Sequence, residues 1–99
     1  MRALSVRQPY ADQILRGTKK YEYRSLRTTI RERVYIYASR TPGGPEAAAL
    51  PLGVIVGTIE ITDCTAHDRG FKWHLRAPKR LARPRRPSRK PQPVWFNPF

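Results

Sequence analysis

The sequence predicts a small α+β domain, mainly β, in which five or six short strands form a twisted barrel and one early helix covers one end. The 99 residues suffice for one modest core and not for a second. Apolar and polar residues alternate over several short segments, as they do in half-buried strands. Helical spacing is clear only near the N-terminus. We therefore expect a single domain over residues 1–99.

The first elements are a short strand and the helix. Residues 3–6, ALSV, are typical of a strand. Pro9 suits the first position of a helix, where its missing N–H would be unpaired in any case. From Pro9 to Arg16, apolar residues four apart, such as Tyr10 and Ile14, form a stripe that can face the core. Gly17 can adopt the left-handed conformation that ends helices, so we expect the helix to stop there.

A second strand is predicted over Arg33–Ser39, RVYIYAS. Strict alternation divides its side chains between two faces. One face carries Val34, Ile36 and Ala38; the other carries Tyr35, Tyr37 and Ser39. The connection that follows is rich in proline and glycine, and Pro45–Leu50 can form a second short helix of one or two turns.

The segment 53–64, GVIVGTIEITDC, has the composition most typical of a strand. Alternation places Ile55, Ile59 and Ile61 on one face and Val56 on the other. Gly57 in its centre predicts a bend or a close approach of two backbones, as at the corner of a barrel. Residues 71–76, FKWHLR, are predicted to form one more strand.

The C-terminal part is basic and rich in proline. Because proline cannot donate to a ladder of hydrogen bonds, we expect residues 82–93 to form an extended strap of polyproline type. Residues 94–96, VWF, are expected to anchor this strap to the body as a terminal strand. Burial of large apolar side chains contributes about 1.5–3 kcal/mol each.

The formal charge of +13 is unevenly distributed along the chain. Residues 1–68 carry ten Lys/Arg and seven Asp/Glu, whereas residues 69–99 carry ten Lys/Arg and no acidic residue. Such asymmetry produces a strong positive field that attracts polyanions. Nucleic acid is the expected partner, ahead of an anionic membrane surface. The plainer interpretation is a solubilising basic tail.

Other classes of protein are disfavoured. The single cysteine, Cys64, cannot form an internal disulfide, and no apolar run is long enough to span a bilayer. We therefore expect a cytoplasmic protein without membrane association. Cys64, His67 and His74 are three candidate ligands in a cationic neighbourhood, whereas zinc sites show four in paired spacings. We expect neither a metal nor a cofactor.

The stretch Gly17–Arg24, GTKKYEYR, is the strongest candidate for a site. Lys19 and Arg24 can donate to a phosphate or a base carbonyl, and Glu22 can accept from an exocyclic amine. A lysine oriented by a carboxylate can instead act as a base or a nucleophile. The third interpretation is an ordinary surface ion pair. On a regular strand, positions three apart face opposite sides, so Lys19 and Glu22 meet only if the turn after Gly17 redirects Lys19.

The segment RALSVRQPYADQILRGTKKYEYR resembles the start of the ASCH family, small domains related to PUA domains. The family hallmark is Gly-x-Lys-x-x-Glu-x-Arg after the first helix, here Gly17, Lys19, Glu22 and Arg24. The resemblance continues through RVYIYAS, VIVGTIEITDC, WHLRAPKRL and PVWF. It implies a PUA-like β-barrel with a cleft beside the motif, and a role in binding RNA or modified nucleosides.

Some relatives implied by the resemblance are enzymes. They act as ribonucleases or as amidohydrolases that remove the acetyl group of N4-acetylcytidine. In the amidohydrolase type, the lysine that matches Lys19 is catalytic and the residue three positions later is a threonine. Glu22 occupies that position here, which argues against the deacetylation mechanism.

We therefore predict a monomeric RNA-binding domain that recognises one nucleotide, modified or unmodified, in a cleft around Lys19, Glu22 and Arg24. The alternative is an enzyme acting on RNA or nucleosides, with Lys19 and Glu22 catalytic. DNA as the ligand, and a protein partner in a larger complex, stay open. The complete set of predicted RNA-binding residues is Arg7, Gln8, Lys19, Lys20, Glu22, Arg24, Tyr35, Tyr37, Arg83, Arg85, Arg86, Arg89 and Lys90.

Overall fold

The computed structural model describes all residues from Met1 to Phe99 and contains six strands, one α-helix and one 3-10 turn. The elements in chain order are β1 (Ala3–Val6), α1 (Tyr10–Arg16), β2 (Tyr21–Arg24), β3 (Arg33–Ala38), the 3-10 turn (Pro45–Ala47), β4 (Val54–His67), β5 (Gly70–Arg85) and β6 (Trp95–Phe96). The mainly β fold class, the early helix and the second short helical turn are therefore confirmed, and the arrangement is consistent with a small PUA-like barrel.

The strands form one sheet in the order β2-β5-β4-β3-β1-β6. β1 and β3 pair in parallel, and every other neighbouring pair is antiparallel. The sheet curls so that its two ends meet. Trp73 on β5 stacks on Trp95 on β6, with the ring centroids 5.8 Å apart and the planes at 5°. This contact closes the barrel through side chains rather than through a ladder of backbone hydrogen bonds.

The main core lies between α1 and the concave side of the sheet. Twelve buried apolar side chains form it: Leu4, Val6, Ala11, Ile14, Leu15, Val34, Ile36, Ala38, Val56, Ile59, Ile61 and Trp73. A smaller cluster on the other side of the sheet contains Ala3, Tyr37, Ile55 and Phe96. The predicted inward face of β3 belongs to the main core, as do Ala11, Ile14 and Leu15 of the helix. The prediction that Tyr10 faces the core is wrong, because its side chain is 42% exposed.

The predicted faces of β4 are wrong at Ile55 and Val56. The pairing with β3 shifts register opposite Ile36 and Tyr37, and the pairing with β5 shifts between Ile55 and Gly57. A bulge of this kind turns the following side chains to the opposite face. Val56 therefore packs in the main core with Ile59 and Ile61, while Ile55 packs in the smaller cluster.

Gly57 allows the helix to approach the bare backbone of the sheet. A Cβ atom at this position would lie 2.6 Å from Leu15 Cδ2 on α1 and 2.5 Å from the Lys79 carbonyl oxygen on β5. Both distances are shorter than any real carbon contact, so only glycine fits. The predicted close approach of two backbones is thus present at this corner of the barrel.

β5 is longer than the predicted strand 71–76 and includes the first four residues, Ala82–Arg85, of the predicted strap. Its prolines, Pro78 and Pro84, lie where pairing with β4 is interrupted, and Ala77 has a positive φ of 54° at the first interruption. A bulged position has no ladder hydrogen bond to lose, so proline is tolerated there. Residues 82–85 of the predicted strap therefore belong to β5, and the segment between β5 and β6 covers residues 86–94, with bends at 88–89 and 93–94.

No helix in the structure has both the length and the apolar character needed to cross a membrane.

Candidate functional site

The turn after α1 determines the direction of Lys19. Gly17 has the left-handed conformation, with φ 82°, and its N–H donates to the Ile14 carbonyl. The N–H of Lys19 returns to the Gln13 carbonyl oxygen at 3.1 Å, and β2 begins only at Tyr21. Lys19 is therefore not subject to the alternation of the strand, and its side chain can meet that of Glu22.

Glu22 is the centre of an ion-pair cluster. Its Oε2 accepts hydrogen bonds from Arg24 Nε at 2.9 Å and from Arg24 Nη2 at 2.6 Å. Its Oε1 lies 3.4 Å from Lys19 Nζ. Only 9% of the Glu22 side chain is exposed, so this carboxylate is shielded from bulk water and needs both cations.

Arg24 connects β2 to the opposite end of the sheet. Its Nη2 also donates to the Ser5 carbonyl oxygen on β1 at 2.8 Å. Its guanidinium lies over the Trp73 ring, 5.7 Å from the centroid. Arg24 thus contacts three strands at the place where the barrel closes, and Glu22 holds it in this position.

Lys19 is held by aromatic rings as well as by Glu22. Its Nζ lies 5.7 Å from the centroid of Tyr10 and 5.1 Å from that of Tyr23. The side chain is 18% exposed. Both rings attract a cation through their quadrupoles. Lys19 is therefore oriented and partly accessible from the cleft.

These side chains line one side of an open cleft of about 950 Å³. The cleft lies between the motif strand β2, the ends of β1 and β3, and the segment that precedes β6. Its cationic residues are Arg7, Lys19, Arg24, Arg40 and Lys90. Its aromatic residues are Tyr10, Tyr23 and Tyr37, and Glu22 is its one carboxylate.

Six of the predicted site residues line this cleft: Arg7, Lys19, Glu22, Arg24, Tyr37 and Lys90. The others do not line it. Lys20 is exposed beside a smaller pocket of about 280 Å³ on the other side of the turn. Arg83, Arg85, Arg86 and Arg89 are exposed on the C-terminal part of the chain.

Gln8 and Tyr35 have structural positions instead. Gln8 is 1% exposed; its Oε1 accepts from the Asp12 N–H in the first turn of α1, and its Nε2 donates to the Pro51 carbonyl. Tyr35 packs edge-on against Phe99 at 5.6 Å. Neither side chain lines the cleft, and their predicted role in RNA binding stays a prediction.

Several lining residues were absent from the predicted site, chiefly Ser5, Tyr10, Tyr23, Arg40 and Gln92. Tyr10 and Tyr23 flank the motif, and the interleaving of aromatic and cationic residues was the signal for them. Arg40 and Gln92 come from distant connections and carry no local pattern. Only the tertiary fold brings them to the cleft.

The residues considered as metal ligands are not arranged as a metal centre. The structure contains no cluster of three or more His, Cys, Asp or Glu side chains that could hold an ion. The Nε2 atom of His74 lies 2.9 Å from Thr65 Oγ1, and the ring of His67 lies against Tyr23.

Replacement of Arg24 by leucine should lower the free energy of unfolding by about 3–5 kcal/mol, because it removes both hydrogen bonds to Glu22 Oε2 and leaves the buried carboxylate with Lys19 as its one ion-pair partner. Urea denaturation measures the change. The double variant Arg24→Leu/Glu22→Leu should recover much of the loss, since an apolar pair can replace a buried ion pair. Arg27→Leu, at an exposed position without a side-chain partner, is the control. Equal destabilisation of the single and double variants would show that the shielded carboxylate is not the source of the loss.

The geometry can be compared with known proteins. Residues 4–93 match the family model of the ASCH domain, which covers β1, the motif and the segment that borders the cleft. No curated protein matches the chain. The ASCH domain is a PUA-like family of the RNA-binding type. Because the match spans most of the 99 residues, the chain belongs to the ASCH domain family.

Proposed function

We propose that this protein binds RNA and recognises one nucleotide, modified or unmodified, in the cleft around Lys19, Glu22 and Arg24. The basic residues 83–89, called the C-terminal segment below, contribute contacts to phosphates outside the cleft. The observation that carries the proposal is the composition of the cleft: five cationic side chains, three tyrosines and one carboxylate around about 950 Å³.

The size and composition of the cleft suit a nucleotide. Pockets for small ligands usually measure about 300–1,000 Å³ and place a few polar groups in an otherwise apolar lining. Here the cations suit the phosphate, and the tyrosine rings suit the base, which unpaired RNA presents to aromatic side chains. A single buried carboxylate among five cations leaves a net positive cleft, which favours an anionic ligand.

Within the cleft, Lys19, Glu22 and Arg24 have different roles. Lys19 is oriented and partly exposed, so it can donate to a phosphate or a base carbonyl. The Oε1 atom of Glu22 has one contact, with Lys19, and can accept from an exocyclic amine, as carboxylates do from cytosine. Arg24 directs its Nε and Nη2 donors at Glu22 and Ser5, so these two nitrogens orient the carboxylate.

The C-terminal segment supplies cations without a shaped pocket. Arg83, Arg86 and Arg89 are exposed and form no salt bridge, and Arg85 lies over the Phe99 ring at 3.8 Å. Lys90 lines the cleft and continues directly from this segment. The segment can therefore neutralise phosphates of the same strand whose nucleotide occupies the cleft. Contacts of this kind give affinity that falls with salt and little sequence preference.

One observation favours a second candidate function, an enzyme acting on RNA or nucleosides. Lys19 and Glu22 are in contact and both face the cleft, as a catalytic lysine and its orienting carboxylate would. However, Arg24 also holds Glu22 through two hydrogen bonds, and the rest of the lining consists of cations and tyrosines, which suit a phosphate and a base. Recognition is therefore the better supported function.

Lys19→Ala should weaken binding of a single-stranded RNA oligonucleotide by about 10- to 100-fold, the range expected from the loss of a hydrogen bond to a charged group. Fluorescence anisotropy measures the affinity. Lys20→Ala is the matched control, because it removes the same charge at the adjacent position outside the cleft. It should change the affinity by less than about 3-fold, as for a single exposed phosphate contact.

The same samples separate binding from catalysis. They are analysed by chromatography for cleaved RNA and for cytidine released from N4-acetylcytidine. If products form with the unaltered protein and are lost in Lys19→Ala, the chain is an enzyme. Equal affinities of Lys19→Ala and Lys20→Ala, without products, would contradict a role for Lys19 in recognition. DNA of the same sequence, in parallel, tests the preference for RNA.

Arg83→Ala/Arg86→Ala should weaken binding to all RNA sequences alike and should flatten the dependence of log affinity on log salt by about one to two, the contribution of two phosphates. A salt titration with two unrelated oligonucleotides measures both. Arg27→Ala/Arg69→Ala lowers the net charge equally at exposed positions outside the cleft and the segment, and should leave the slope unchanged. Identical slopes for the two double variants would contradict a specific role of the segment.

A further inference from the structure

The outer surface of β2, β5 and β4 carries an unusual group of rings. Tyr21 on β2 is directly opposite His74 on β5, and Tyr23 is opposite Lys72. These positions alternate with Glu22 and Trp73, which face the interior, so the rings all point outward. His67, at the end of β4, lies on the same surface. Tyr21, Tyr23, His67 and His74 are called the outer aromatic face below.

The four rings form a continuous row. Tyr23 lies 5.0 Å from His67, Tyr21 lies 5.1 Å from His74, and the two tyrosines are 6.4 Å apart. Ring centroids at 4.5–7 Å are in the range of direct aromatic contact. The row therefore extends across three strands as one surface.

The tyrosines of this row are exposed although they are large and partly apolar. Tyr21 is 36% exposed and Tyr23 is 52% exposed. A cation accompanies them, since Lys72 Nζ lies 4.6 Å from the centroid of Tyr21. If these rings served only as cross-strand pairs that stabilise the sheet, neighbouring side chains could cover them. Here the rings remain accessible to a ligand.

The outer aromatic face is continuous with the cleft. Tyr23 belongs to both surfaces: it lines the cleft, and its ring contacts Lys19 as well as His67. A strand of RNA whose nucleotide occupies the cleft can therefore pass over Tyr23 and continue across β2 without leaving the protein.

We infer that the outer aromatic face is a second binding site, a stacking platform for unpaired bases next to the nucleotide held in the cleft. The inference rests on the proposed function, which it extends from one nucleotide to a short single-stranded segment. Stacking on tyrosine and imidazole rings tolerates any base, because every base has a π-face. The platform thus adds affinity and directs the strand, while selection remains in the cleft.

The chemistry of the face favours nucleic acid over a protein partner. Lys72 lies over the Tyr21 ring and forms no salt bridge, and the chain has a net charge of +13, although the exposed carboxylate of Asp68 lies 3.4 Å from His67 at one end of the row. Aromatic rings beside cations suit a polyanion with flat bases. A docked protein would instead need an apolar patch whose centre is depleted of charge.

The test uses Tyr21, which does not line the cleft. Affinities are measured for four single-stranded RNA oligonucleotides, each containing a single type of base. Each is about eight nucleotides long, within the site sizes of small single-strand binding folds. The four nucleoside monophosphates are measured in parallel as probes of the cleft alone. Tyr21→Val retains a side chain favoured in strands, and Tyr21→Phe retains the ring. Because Tyr21→Val can weaken the fold, thermal denaturation accompanies it, and His67→Ala at the strand end is the second variant.

Tyr21→Val is expected to weaken binding of all four oligonucleotides about 5- to 100-fold, the range for one stacked base. Binding of the monophosphates and the salt slope should not change, because stacking releases no counterions. Tyr21→Phe should bind as the unaltered protein does, and His67→Ala should show a smaller loss in the same direction.

Three results would overturn the platform. The first is unchanged oligonucleotide affinity in Tyr21→Val and His67→Ala while the unaltered protein binds RNA; the proposed function would then stand without it. The second is equal loss for oligonucleotides and monophosphates, which would place the effect in the cleft. The third is that the unaltered protein binds no RNA and retains a protein partner whose binding Tyr21→Val abolishes. That result would overturn the proposed function as well.

Discussion

The ion pair between Glu22 and Arg24 is the interaction on which both the barrel and the cleft depend. β2 has backbone hydrogen bonds on one side only, with β5, and the opposite end of the sheet is reached through Arg24, which donates to the Ser5 carbonyl and covers Trp73. Glu22 fixes this guanidinium with two short hydrogen bonds. The same carboxylate holds Lys19, so the contact that closes the fold also orients the cation that faces the cleft. Loss of the pair would therefore disturb both the stability of the fold and the shape of the cleft.

Charge is distributed between a shaped site and an open surface. In the cleft, cations are fixed by a carboxylate and by rings, which limits the directions in which they can donate. On the C-terminal segment, arginines are exposed and form no salt bridges, so they can follow a phosphate backbone of any sequence. Oriented donors select a ligand, whereas exposed cations increase its local concentration. Under the proposed function, a protein with both associates fast with any RNA and retains only the strands that fill the cleft.

The features that the sequence predicted correctly depend on local rules. The helix and its end at Gly17, the inward face of β3 and the close approach at Gly57 follow from spacing and from the conformational freedom of glycine. The errors lie where the pairing with a neighbouring strand determines which way a side chain faces or where a strand ends. Pro78 and Pro84 argue against a strand unless β5 is known to bulge where they lie, and a separate bulge of β4 against β3 exchanges the faces of Ile55 and Val56. Gln8 was predicted to bind RNA, yet its side-chain amide is hydrogen-bonded to the Asp12 N–H and the Pro51 carbonyl oxygen. Arg40 and Gln92 reach the cleft only through the tertiary fold.

Photochemical cross-linking of the unaltered protein to single-stranded RNA, followed by mass spectrometry of the attached peptides, tests the central claim most directly. A base held in the cleft lies against the accessible rings that line it, so the account predicts nucleotides attached at Tyr10 or Tyr23. Attachment should decrease when a nucleoside monophosphate competes for the cleft. Nucleotides attached only along residues 83–89, with both tyrosines unmodified, would show that the protein holds RNA by its phosphates alone and would contradict recognition in the cleft.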